Sequence, residues 1–185
     1  MATGERPSVA RTDEAFREML AGGHPNSLGR TVEVVDAVLA DRQKLAELYD
    51  AYFADDEVVR LRVSNAMKRV CKEHPDWLVP LLDGLLNDVA AIEQASTQWT
   101  LASLFGSLEA SMTKDQRKKA EAILRNNLRN WDDWIVLNTT METLGRWAAS
   151  DAKLKRWLMP HLERLKSDGR RSVSGRAAKI SAKLS

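Results

Sequence analysis

A single cysteine, Cys71, occurs in 185 residues. That scarcity excludes an internal disulfide framework and fits a reducing compartment. Five prolines and nine glycines are too few for a fibrous or low-complexity chain. No apolar run approaches the roughly 18 residues of a membrane span. The opening MATGERPSVARTDEAF lacks the apolar segment of a secretory signal. Together these absences read as a cytoplasmic protein with no membrane partner.

Chemistry-bearing patterns are also missing. There is no nucleophile elbow, no serine–histidine–aspartate arrangement and no phosphate-binding glycine loop; LAGGHP and SLGR lack the preceding strand such loops require. Cys71 and His74 make a lone C-x-x-H, and His24 and His161 fall in other elements, short of the four ligands of a structural zinc. The adjacent carboxylates Asp55-Asp56 and Asp132-Asp133 precede helices, where they serve as caps and dipole partners rather than acid–base pairs. No cofactor and no metal are expected, and the chain leans to a non-enzymatic reading.

Strand signals are absent too, since no stretch alternates apolar and polar residues between turns. Helical spacing fills the sequence instead. A short helix is expected at about 13–21, inside a mobile N-terminal segment 1–25 that ends at Gly22-Gly23 and HPNSLG. The domain proper, 26–185, is expected to hold helices near 28–39, 42–53, 56–73, 76–87, 92–109, 114–129, 132–148, 151–166 and 170–183. Thr113 and Gln116 have the capping-box spacing. Connections of a few residues make consecutive helices antiparallel neighbours.

The tetrapeptides WLVP (77–80) and WLMP (157–160) point to an internal repeat. Ala66, Ala102, Thr140 and Ala177 align at steps of 36, 38 and 37, while Leu48, Leu85, Leu128 and Leu165 align at 37, 43 and 37. Each proline is read about four residues into its helix, where a missing donor is tolerated. A hairpin of this size buries its apolar face only by stacking on the next.

Three stretches, DDEVVRLRVSNAMKRV (55–70), DDWIVLNTTMETLGRWA (132–148) and RRSVSGRAAKISAKL (170–184), resemble the first helix of HEAT/armadillo-type repeats. The resemblance spans about 28–184. It implies an all-α, right-handed α–α superhelix of about four helix pairs plus a terminal helix, binding a macromolecule along its concave side.

Charge and aromatics supply the candidate site. Net charge is +2, yet residues 153–185 hold ten lysines and arginines against Glu163 and Asp168, a basic end with a potential partner. Lys118, Arg125 and Arg129 share one face of the helix at 114–129, and Lys155 and Arg156 lie off the apolar stripe of the next. Five of the six tryptophans read as core filling; Trp131, ahead of its helix, reads as the exposed one. The leading expectation is a scaffold module holding a protein partner in its groove through Lys118, Arg125, Arg129, Trp131, Lys155 and Arg156. The second is nucleic acid on the same basic groove. RNWDDW (129–134) resembles a tryptophan-rich segment of helical-repeat alkylpurine DNA glycosylases, although Ile135 stands where their acidic group would be expected.

Overall fold

The computed structural model describes residues 15–24 and 27–185 of the chain. Among the described residues there is no strand. Helices α1 (Phe16–Leu20) and α2 (Thr31–Ala40) precede a 3-10 turn at Arg42–Lys44 and α3 (Leu45–Asp50). Helix α4 (Glu57–Glu73) leads to α5 (Pro75–Leu78), a 3-10 turn at Val79–Leu81, and α6 (Leu82–Asn87). The long helices α7 (Ala95–Leu108), α8 (Lys114–Asn130), α9 (Trp134–Ala148), α10 (Ala152–Lys166) and α11 (Arg171–Leu184) follow.

Local chemistry sets these boundaries. The Asp56 carboxylate accepts from Val58 N, Asp133 from Ile135 N and Val136 N, and Asp151 from Lys153 N and Leu154 N. Each satisfies donors that a first helical turn leaves orphaned. Thr113 and Gln116 form the reciprocal capping box of α8. The two prolines differ. Pro80 lies in the 3-10 turn that separates α5 from α6, whereas Pro160 lies inside a continuous α10. Neither proline therefore stands about four residues into an α-helix: Pro80 breaks the helix expected at 76–87, and Pro160 lies in the middle of α10.

The N-terminal stretch needs a second correction. Phe16, Met19 and Leu20 are buried in the main core, so residues 16–24 belong to the packed body rather than to a mobile segment. Arg62, only 2% exposed, holds them there. Its guanidinium donates to the carbonyls of Leu20 (2.6 Å), Ala21 (3.3 Å), Gly22 (2.6 Å), His24 (3.2 Å) and Ser27 (3.2 Å). The part of that segment spanning 1–14 lies outside the described residues.

Helices α2, α4, α7, α9 and α11 pack one on the next in unbroken order. A second set lies alongside them: α3 packs on α4, α6 on α8, α8 on α7 and α9, and α10 on α9 and α11. Bonds between neighbouring units recur at a nearly constant separation along the chain. Gln94 Nε2 donates to Glu57 O (2.9 Å), Gln116 Nε2 to Asp83 Oδ1 (2.8 Å), Thr143 Oγ1 to Ala102 O (2.8 Å) and Arg164 Nη2 to Leu128 O (3.0 Å).

Burial bears on the register of the internal match. Buried quartets of the same spacing include 63/66/67/70 in α4, 97/100/101/104, 98/101/102/105 and 101/104/105/108 in α7, and 137/140/141/144 and 140/143/144/147 in α9. In the second helices the buried triplets are 78/82/85, 120/124/127 and 158/162/165. Burial does not select between Leu101 and Ala102, or between Asn127 and Leu128, as the counterparts of Ala66 and Leu85, since all four are buried. Aligning the buried triplets of α8 and α10 sets Lys119 opposite Trp157. A one-residue slip is invisible to hydrophobic spacing because Ala102 and Leu128 are buried as well.

Candidate partner-binding face

Helix α8 is amphipathic. Ala120, Leu124, Asn127 and Leu128 are buried, and the remaining faces carry charge. On the side toward α10, Glu121 lies between two arginines, accepting from Arg117 Nη1 at 2.9 Å and pairing with Arg125 Nη2 at 2.5 Å. Arg117 also reaches Glu109 at 3.1 Å, and its Cζ stands 3.4 Å from the centre of the Trp147 ring.

Trp157 of α10 is the meeting point. Arg125 Cζ stands 4.5 Å and Arg129 Cζ 5.2 Å from the centre of its ring, and His161 packs on it at 4.2 Å. Two guanidinium groups on one half-buried indole gain cation–π attraction but repel each other, and Glu121 compensates only Arg125. Among the described residues Arg129 has no carboxylate partner. Burial pushes the His161 imidazole below its ordinary value, and Arg164, Arg129 and Arg125 push the same way. Asp151, at the start of α10, is held below the ordinary carboxyl value by the amides of Leu154 and Lys153, with Arg117 and Arg125 adding attraction.

A related arrangement recurs at the earlier tetrapeptide. Trp77 stacks on His74 at 4.1 Å with rings 7° apart, and Arg42 stands 5.8 Å from its centre. Each WLxP tryptophan is therefore clasped between an arginine of the preceding second-layer element and a nearby histidine. Cys71 is buried beside this turn, and burial pushes its thiol up to about 11.

The structure thus brings Arg125 and Arg129 together, through a tryptophan that spacing assigned to the core. Lys118 is exposed two turns before Arg125 on the same face of α8. Lys155 and Arg156 sit two and one residues before Trp157, which at 100° per residue turns them off the indole's face. No ion pair or hydrogen bond engages Lys118, Lys155 or Arg156 among the described residues. Trp131 caps α8 and is half-buried, so it is not the most exposed tryptophan; Trp134 is, at 49%. Of the six, Trp147 alone is fully buried, at 2%. Residues missed by spacing are Glu121, Trp157 and His161. The i, i+4 pair Arg125/Arg129 was their only sequence signal, because the indole comes from another helix.

Among the described residues, three of the ten C-terminal cations are matched in ion pairs. Arg170 pairs with Asp132 and Asp168 (2.8 and 2.7 Å), Arg176 with Glu142 (2.7 Å) and Lys166 with Glu163 (2.6 Å). No helix among the described residues is long and apolar enough to cross a membrane. No family model, curated protein or solved structure matches the chain.

Proposed function

We propose that this chain is a non-enzymatic interaction module, a short right-handed α–α superhelix of HEAT/armadillo type that binds an acidic segment of a protein partner. Two features support the superhelical arrangement. The first-layer helices pack in strict sequence order, and bonds between neighbouring units span 32 to 41 residues, as expected when each unit touches only its neighbours.

One observation carries the binding role: Arg125 and Arg129 converge on Trp157 with one shared carboxylate between them and Arg117. An indole flanked by under-compensated guanidinium groups gives a carboxylate-rich segment both bidentate partners and an apolar anchor. The matched pairs at Arg170, Arg176 and Lys166 interrupt any long phosphate-tracking stripe, which favours a local acidic segment over a nucleic-acid strand.

The nucleic-acid reading retains Lys118, Arg129 and Arg156, which have no ion pair among the described residues. Its base-excision form is disfavoured, because the carboxylates beside Trp131 are occupied. Asp132 binds Arg170 and Asp133 caps α9.

Fluorescence anisotropy with a labelled glutamate-rich peptide and a single-stranded oligonucleotide of equal charge separates the two. The peptide is expected to bind at low ionic strength and to weaken as salt screens the contact. Oligonucleotide binding with a steep salt slope and no peptide binding would reverse the assignment.

A further inference from the structure

The opposite flank of α8 holds a second feature, independent of the arginine cluster. A groove of about 900 Å³ opens between α8 and the Val89–Ala91 turn. That volume lies within the roughly 300–1,000 Å³ range of small-molecule sites. It occurs where the repeat is broken. The other second helices set Trp77 and Trp157 at the inter-unit boundary and bury Leu85 and Leu165. In α8 the matching residues are Lys119 and Asn127, and both line the groove. An ammonium and a buried carboxamide therefore stand on α8 where α10 carries an indole and a leucine, and burying the carboxamide costs desolvation.

Part of this polar lining holds the fold together. Gln98, 3% exposed, secures the preceding turn by donating to Ala90 O (3.1 Å) and Ile92 O (2.9 Å). Asn127, 2% exposed, donates to Gln98 Oε1 at 3.0 Å. No donor among the described residues reaches Asn127 Oδ1. One turn on, Asn130 Nδ2 donates to Asn126 Oδ1 at 2.7 Å. That bond leaves the Asn126 amide hydrogens and the Asn130 carbonyl unused. Trp131 contributes the groove's indole.

We propose that this groove binds a neutral carbohydrate, with a sugar ring against Trp131 and its hydroxyls on Asn126, Asn127 and Asn130. Charge excludes a simple anion: the lining's charged groups are Glu93 and Lys119, which cancel, and the Lys119 ammonium already donates to Asn87. Shape disfavours a peptide. The apolar lining is three alanines and Ile123, which offer no pocket for a side chain. Each hydroxyl of a sugar both donates and accepts, matching carboxamides that present unused groups of both kinds. One aromatic wall and a few convergent polar groups complete the requirement for an oriented small ligand.

The test is NMR of the full chain with ¹⁵N-labelled side-chain amides and indoles. The probes are glucose, galactose, N-acetylglucosamine and their β-1,4 and α-1,4 disaccharides, with a polyalanine peptide as the contrast. At least one saccharide is expected to shift the Asn126, Asn127 and Asn130 amides and the Trp131 indole together. Asn130→Ala and Trp131→Ala should each weaken that binding roughly tenfold, the effect of one lost polar or stacking contact, with an unchanged melting temperature. Arg125→Glu should leave it intact, which separates this site from the arginine face. Absence of any saccharide-induced shift, equal shifts in the two groove variants, or shifts from the peptide instead would overturn the proposal.

Discussion

Arg62 shows how far one side chain can determine local structure. Its guanidinium is buried among five backbone carbonyls and pairs with no carboxylate among the described residues. Those carbonyls belong to a stretch turned by Gly22 (φ 67°) and Gly23 (φ 72°), conformations only glycine adopts readily. Gly29 (φ 51°) must also stay glycine, because a Cβ there would stand 2.8 Å from the Arg62 guanidinium carbon. Arg62→Met keeps the apolar stem and removes the donors, leaving buried carbonyls unsatisfied. It should cost about 3 kcal/mol by urea unfolding and release α1 to proteolysis. A loss below about 1 kcal/mol would show that water replaces the guanidinium. In the sequence Arg62 reads only as one polar step within an apolar helix. Its burial is not legible there, because the partners are main-chain atoms about forty residues away and carry no residue-type signature.

At the scale of elements, apolar spacing and caps located the long helices but not the breaks. The stretches expected as single helices at 42–53 and 76–87 are short α-helices flanked or interrupted by 3-10 turns. Helices expected at 56–73 and 114–129 form at Glu57–Glu73 and Lys114–Asn130, since Asp56 and Thr113 supply the caps that fix their first turns. The prolines were less legible, because a tetrapeptide does not show how much helix precedes it. Pro160 sits inside α10 and is exposed. Pro160→Ala restores one helical hydrogen bond and should stabilise the chain by about 1–3 kcal/mol in chemical unfolding. No gain would mean that a bend at Pro160 serves the packing of α10 on α11.

The link between those two helices depends on pH. Asp168 accepts from Arg170 Nε (2.9 Å), Nη2 (2.7 Å) and backbone N (2.8 Å), which lowers its carboxyl to about 2. A folded value below the unfolded one stabilises above about pH 4 and is lost as pH falls toward about 2. Asp168→Asn should therefore flatten the acid limb of the stability curve between those values and leave its neutral plateau lower. An unchanged acid limb would refute the assignment.

For the whole molecule, the all-helical layering was legible in the apolar spacing, whereas the register of one helix against another was not. A shift of one in α8 moves Asn127 into a leucine position and Lys119 into a tryptophan position, turning an apparent core helix into the wall of a groove. The candidate face was half legible. Arg125 and Arg129 are one turn apart on one helix, whereas Trp157 joins them only when α8 and α10 come alongside each other. Lys155 and Arg156 share their helix with Trp157 but not its face, which nearness in the chain conceals. The central claim is that the α8–α10 face engages an acidic protein segment through these two arginines. Calorimetric titration of a glutamate-rich peptide into the wild-type chain and into the double variant Arg125→Glu/Arg129→Glu tests it most directly. The account predicts salt-sensitive binding to the wild type and at least a hundredfold weaker binding to the variant, at about 1.5–3 kcal/mol per charge-assisted contact, with both proteins keeping the same helical circular dichroism. Equal affinity for the two proteins would contradict it.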